Sequence, residues 1–221
     1  MAIVENIRFI EKEIEGKGVT LVAVSKTKPV EMLMEAYNAG FKRFGENYVQ
    51  ELVDKYQQMP KDIEWHFIGH LQSNKVKYIA PFVSLIHSVD SFKLLQEINK
   101  QATKNNRVID CLLQIYIAEE DTKSGMTEEE CLEIFKPETL EKLPNVRIIG
   151  LMGMTTLTED EAQIRKEFGN LKRFYELLST QHSKLSTLSM GMSGDYGIAI
   201  EEGSTMIRVG SKIFGGRIYQ K

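Results

Sequence analysis

A lysine at the end of an apolar run is the first residue in this chain that could do covalent chemistry. Leu21-Val22-Ala23-Val24-Ser25-Lys26 reads as a buried strand that ends in an amine. Alternation along a strand puts Val22, Val24 and Lys26 on one face. An apolar floor disfavours the charged form of a lysine, so some free amine would exist near neutral pH, below the ordinary pKa of ~10.4. Such an amine can attack an aldehyde and form a Schiff base. Taken alone, the stretch reads more readily as a strand-end lysine reaching into water, as most lysines do. Two later stretches change its meaning. Met190-Gly191-Met192-Ser193-Gly194-Asp195 and Val209-Gly210-Ser211-Lys212 each carry a strand into small residues whose N–H groups can approach an anion closely. Ser193 and Ser211 add hydroxyl donors. Arg208 stands just before the second stretch. A guanidinium keeps its protons and has no acceptor, so against a pyridine nitrogen it would donate to an unprotonated ring, a poorer electron sink than a pyridinium. The alternative for Arg208 is an ordinary pairing with an acidic neighbour. A ligand with an aldehyde at one end and a phosphate at the other would satisfy all three features, and pyridoxal phosphate (PLP) carries both groups.

The elements that must position these residues alternate along the chain. Ile3, Ile7, Ile10 and Ile14 recur at helical spacing and predict an opening helix with one apolar stripe, ended by Gly16 and Gly18. After the Lys26 strand, Pro29 suits a first helical position and Gly40 a stop. Strands are predicted at 41–44, 64–68, 83–87, 108–117, 146–152, 185–190 and 205–209. The run at 108–117 is the strongest of them because it is mostly apolar and β-branched. Helices are predicted between them: after Gly45-Glu46-Asn47 through Gln57, at 73–80, at 92–104, from a Thr127-x-x-Glu130 capping box, at 160–178 with Ile164, Phe168, Leu171 and Tyr175 on one stripe, and at 195–202. Eight strands alternating with helices predict a closed parallel barrel, with an open doubly wound sheet as the alternative. In a barrel, chemistry belongs at the carboxyl ends of the strands, and phosphate often binds after strands seven and eight. Those two strands close against strand one, so an anchored phosphate would bring its aldehyde within reach of Lys26.

Composition excludes several function classes. The chain has 221 residues, Lys plus Arg 28 against Asp plus Glu 31, and a formal charge of −3. With no basic stripe, that balance argues against a nucleic-acid partner. No apolar run approaches the ~20 residues that span a bilayer, and the charged N-terminus does not read as a signal peptide. Cys111 and Cys131 have no metal or redox spacing and suit a reducing, cytoplasmic compartment. His66 and His70 could suggest a metal pair, but they lack an acidic third ligand at fixed spacing. Lys28 rivals Lys26, although Pro29 should cut the strand short and send Lys28 past the mouth into solvent. Trp65 reads as packing, and Glu128-Glu129-Glu130 as a solvated helix start.

Several blocks carry a resemblance. They are Ala23-Val24-Ser25-Lys26-Thr27-Lys28-Pro29, Phe44-Gly45-Glu46-Asn47-Tyr48-Val49-Gln50-Glu51, Trp65-His66-Phe67-Ile68-Gly69 with Leu71-Gln72-Ser73-Asn74-Lys75, Lys123-Ser124-Gly125, Gly150-Leu151-Met152, Leu188-Ser189-Met190-Gly191-Met192-Ser193 and Arg208-Val209-Gly210. With these blocks in this order, the sequence resembles the pyridoxal phosphate homeostasis protein family over nearly all of its length after the opening helix. The resemblance implies a single (β/α)8 TIM barrel of the alanine racemase N-terminal domain type with an extra N-terminal helix. It implies one PLP-binding domain over residues 1–221, the helix at 1–16 and the barrel at 19–221. It further implies PLP held as an internal aldimine on Lys26, with Arg208 at the pyridine nitrogen, Ser193, Gly210 and Ser211 around the phosphate, and Asn47 and His66 lining the cofactor face. The chain departs from the family at Gly194-Asp195-Tyr196-Gly197, where an acidic, methionine-containing run is common, and at His70, where many members have proline. Both departures lie at the rim and bear on ligand preference.

A racemase needs a second acid/base opposite the lysine, which two-domain relatives take from a C-terminal β domain. This sequence ends at Lys221, just past the eighth strand. The expectation is therefore a monomeric PLP holder in PLP homeostasis with little or no turnover, affecting amino-acid metabolism and passing cofactor to PLP-dependent apo-enzymes. The alternatives are a weak PLP-dependent amino-acid racemase or a cofactor-free Schiff-base aldolase.

Overall fold

The computed structural model describes residues 2–119 and 124–216; Lys123 of the Lys123-Ser124-Gly125 block lies outside them. The chain begins with helix α1 (Ala2–Ile14), whose Ile3, Ile7, Ile10 and Ile14 are all buried. Burying each such side chain is worth roughly 1.5–3 kcal/mol, enough to fix this helix against the domain. Gly16 and Gly18 then turn the chain at φ 73° and 68°, a region open to glycine.

Eight strands follow: β1 (Thr20–Val24), β2 (Arg43–Glu46), β3 (Glu64–Phe67), β4 (Leu85–Val89), β5 (Ile109–Gln114), β6 (Val146–Met152), β7 (Thr187–Ser189) and β8 (Met206–Val209). They pair in parallel, in sequence order, as a closed barrel. Helices α2 (Val30–Asn38), α3 (Val49–Gln58), α4 (Val76–Ile79), α5 (Phe92–Lys104), α6 (Glu128–Ile134), α7 (Pro137–Leu140), α8 (Glu161–Gln181) and α9 (Tyr196–Glu201) fill the connections, and α10 (Ser211–Phe214) follows the last strand. The main apolar core lies between barrel and helices. A smaller one, of Val22, Leu85, Leu112, Met152 and Met206, plugs the barrel itself. Closure pairs Val22 with Arg208 and Ala23 with Val209, which sets Arg208 beside the strand that leads to Lys26.

The differences from the sequence-based expectation have local causes. Pro29 is the N-cap of α2 rather than its first residue. The second strand lies two residues later than expected, because the Phe41 N–H closes the end of α2 on Ala36 O at 3.1 Å. Val83 is likewise spent on α4, through a 2.9 Å bond to Ile79 O, so the fourth strand begins at Leu85. The stretch 73–80 starts as a 3₁₀ turn over Ser73–Lys75 before α4. The long apolar run at 108–117 narrows to β5, and Ile115 forms only an isolated bridge to Met126. Helix α7, started by Pro137 at its first turn, was not foreseen. The Thr127/Glu130 capping box forms as expected.

Candidate functional site

At the carboxyl ends of the strands, a cavity of about 340 Å³ is lined by Val24, Lys26, Asn47, Arg208, Ser193, Gly210 and Ser211, among others. Its size falls at the lower end of the ~300–1,000 Å³ usual for small-molecule sites. A larger hollow of about 700 Å³ lies at the opposite end of the barrel beside α1, where barrel folds keep stability rather than chemistry.

Lys26 is half-buried in the cavity wall. It sits on a turn closed by Lys28 N–H donating to Ser25 O at 3.1 Å. Lys28 does not project into solvent as expected. It reaches across the mouth and donates from Nζ to Phe214 O, Gly215 O and Gly216 O at 3.0, 3.1 and 2.8 Å, which uses all three ammonium donors.

Opposite, the loops after β7 and β8 are tied together by Gly210 N–H donating to Ser193 Oγ at 3.1 Å. That bond leaves the Ser193 hydroxyl proton available to the cavity. The N–H groups of Ser193, Gly194 and Ser211 find no acceptor among the described residues. Asn47 contributes a side-chain oxygen, Oδ1, that is buried without a partner. Its main chain is pressed against Gly69, where an added Cβ would stand 2.2 Å from Asn47 O; the glycine of the Trp65–Gly69 block permits that approach.

Arg208 is 3% exposed and forms no ion pair among the described residues, although the Asp195 charge acts on it. Nη1 donates to Ser189 Oγ at 2.5 Å and Nη2 to Gly153 O at 3.1 Å. Burial lowers its pKa to about 10, so it remains a cation at neutral pH. Two neutral partners leave part of its five-donor fork for a ligand acceptor.

His66 does not line the cavity. It lies inside the barrel, with Nδ1 3.0 Å from His87 Nε2, and His87 Nδ1 is 3.0 Å from Ser189 Oγ. The direction of this chain follows from Arg208. The Ser189 oxygen accepts from the guanidinium, and because this hydroxyl is fully buried with His87 Nδ1 as the acceptor beside it among the described residues, its own proton goes to His87 Nδ1. His87 then donates from Nε2 to His66 Nδ1, so both rings are neutral. Burial favours the same state, pushing His66 down to about 3 and His87 well below its ordinary value. His66 and His70 form no metal pair. His70 is exposed beside Asp90 at 3.2 Å, and no group of three or more His, Cys, Asp or Glu side chains among the described residues could hold a metal.

A buried ionic cluster, overlooked in the sequence, stands behind Lys26. Lys55 Nζ donates to Ser25 O, Glu46 Oε1 and Glu51 Oε1 at 2.8, 2.7 and 2.7 Å. Ser25 Oγ also donates to Glu46 Oε1, at 2.6 Å. Burial pushes the Glu46 carboxyl up to about 7 against the pull of Lys55. The signal that could have found the cluster is Glu51 four residues before Lys55 on a helix.

Comparison with known proteins gives the family. A curated protein of Aquifex aeolicus named pyridoxal phosphate homeostasis protein is 46% identical over 201 residues, covering 90% of this chain and 87% of its own. One of the same name from Vibrio alginolyticus is 42% identical over 98% of this chain and 95% of its own. This chain belongs to the pyridoxal phosphate homeostasis protein family. The family model for the alanine racemase N-terminal domain matches residues 1–218 of this family member. Among solved structures, PipY of Synechococcus elongatus without PLP superposes with a TM-score of 0.90 at 34% identity, over 96% of this chain and all of PipY. The same protein with PLP bound gives 0.87. An alanine racemase of Clostridium difficile gives 0.81 at 16% identity, over 57% of its length, a likeness of fold. The family member is thus a TIM barrel of the alanine racemase N-terminal type, and its near relatives carry the name of homeostasis proteins.

Proposed function

We propose that this protein binds pyridoxal 5′-phosphate and serves in PLP homeostasis, holding the cofactor covalently through Lys26 with little or no turnover. One observation carries the reading: Lys26, a buried guanidinium held by neutral partners, and a doubled loop whose N–H groups are unengaged among the described residues meet in one cavity. The donor set fits the cofactor, and the unpartnered Asn47 Oδ1 adds an acceptor. When bound, PLP supplies an aldehyde that condenses with an amine and a ring that can draw electrons from an attached carbon. Lys26 is the amine on this reading, since it follows the end of β1 in the cavity wall beside the phosphate loops, while Lys28 Nζ is held by the carbonyls of Phe214, Gly215 and Gly216. Ser193, Gly194, Gly210 and Ser211 cradle the phosphate. Arg208 donates to the ring nitrogen and offers it no proton, and Ser189 with the two histidines holds the guanidinium in place.

Low turnover is supported by what faces Lys26. Among the described residues lining the cavity the ionisable ones are Lys26, Lys28 and Arg208; Lys28 Nζ is held by three carbonyls, and a guanidinium has no acceptor to take a proton. We further propose that residues 1–221 act as one domain, as a monomer in the cytoplasm, with PLP-dependent apo-enzymes as recipients. No helix among the described residues is long and apolar enough to cross a membrane, and the acidic balance disfavours nucleic acid.

The test is reductive trapping. Protein loaded with PLP and treated with borohydride should carry the added mass on the peptide containing Lys26, and Lys26→Ala should fold normally and trap none. Mass on Lys28 would overturn the attachment. Alanine racemisation above the Lys26→Ala background would overturn the claim of low turnover.

A further inference from the structure

The turn that presents Lys26 is strained, and its strain has a visible counterweight. Ser25, Lys26, Thr27 and Lys28 form a β-turn closed by the Lys28 N–H to Ser25 O bond. Thr27, at its third position, has φ 60°, while Asn106 is the only other described non-glycine residue with a positive φ. A turn with positive φ only at the third position is of type II, which ordinarily takes glycine there. A β-branched residue in that region is a true outlier, and such strain persists only where its surroundings over-determine it.

Helix α3 supplies that surrounding structure. The Thr27 N–H donates to Glu51 Oε1 at 2.6 Å, a bond strengthened by the carboxylate charge. The same oxygen accepts from Lys55 Nζ, which also grips Ser25 O. The two residues flanking Lys26 are therefore both clamped by one ion pair four residues apart on a helix. Glu46 anchors the ion pair from β2, through Lys55 and the Ser25 hydroxyl. Glu51 and Lys55 are not among the residues lining the cavity.

We propose that Glu51 and Lys55 are positioning residues for Lys26, setting its amine towards the cavity by holding the strained turn. This rests on the reading of Lys26 as the attachment point. It separates two properties of the site: the phosphate loops and Arg208 decide whether the ligand is held, and the α3 clamp decides whether the amine meets the aldehyde.

The experiment compares two probes on the full chain. PLP reports covalent attachment, through its absorbance and through borohydride trapping. Pyridoxine 5′-phosphate, which has an alcohol in place of the aldehyde, reports the phosphate and ring contacts alone. Glu51→Ala should lower covalent attachment about tenfold, the loss expected of one charge-assisted hydrogen bond, while pyridoxine phosphate affinity stays within about twofold. Glu51→Gln, which keeps an acceptor for the Thr27 N–H, should lose less. Adding Thr27→Gly to Glu51→Ala should restore attachment, because glycine needs no clamp at positive φ. Thr27→Pro at the exposed turn removes both the N–H and the accessible φ, and should reproduce the Glu51→Ala pattern even if that variant folds poorly. Equal loss of both probes, or no loss in either variant, would overturn the positioning role. Wild-type protein that takes up neither probe would overturn the cofactor reading, and this one with it.

Discussion

Replacing His66 with asparagine should change how stability depends on pH, and the size of the change follows from burial. His66 is 4% exposed and held neutral, with its value lowered from 6.5 to about 3. Between those values the unfolded chain binds a proton that the folded chain refuses. The stability is therefore present above pH 6.5 and lost as pH falls. From pH 7 to pH 5 the loss integrates to about 2 kcal/mol for this one ring. Wild-type stability alone is a poor readout, because Glu46 acts in the opposite sense. Its value is raised from 4.5 to about 7, so the folded chain binds the extra proton, and Glu46 stabilises by about 2 kcal/mol over the same fall in pH. The difference between His66→Asn and wild type cancels Glu46 and leaves the ring together with its hydrogen-bonded neighbour His87. The Asn oxygen can take the place of Nδ1 as acceptor from His87, so the variant should fold, though with lower stability at pH 7 because the ring leaves a void. The gap between the two proteins, measured by urea unfolding at pH 7, 6 and 5, should then narrow by about 2 kcal/mol in favour of the variant. A gap that does not move with pH would mean that His66 titrates normally, and would refute the reading that burial keeps this ring neutral down to pH 5.

Two further outcomes test the barrel and the ring contact. Gly150→Ala would place a Cβ 1.7 Å from Thr187 O across the β6–β7 pair, so it should cost more than ~3 kcal/mol and lower the thermal midpoint sharply; an unchanged midpoint would refute this register. Arg208→Ala should loosen PLP without preventing borohydride trapping on Lys26, and unchanged retention on dialysis together with an unchanged spectrum would remove Arg208 from the ring nitrogen.

The barrel was legible because its strands are short apolar runs separated by helices with clear stops, and errors arose where an apolar residue closed a helix instead of entering a strand, as Phe41 and Val83 do. In the site, the main-chain features were legible. Small residues after strands seven and eight can be read as an anion cradle, and a lysine at a strand end can be read as an amine. The side-chain network behind them was not. His87 sits in the run Leu85-Ile86-His87-Ser88-Val89, where nothing local distinguishes a packed histidine from one that passes a hydrogen bond to Ser189, a residue 102 positions away. Its partner is decided by barrel closure, and the same closure carried His66 off the cavity wall and into the interior. Thr27 shows the converse limit. Turn chemistry points to glycine or asparagine at positive φ, so a threonine there gives no turn signal at all. What makes the conformation tolerable lies 24 residues further on, at Glu51. A residue whose local preference is overridden from a distance is therefore invisible to local reading, and in this protein that residue is the neighbour of Lys26.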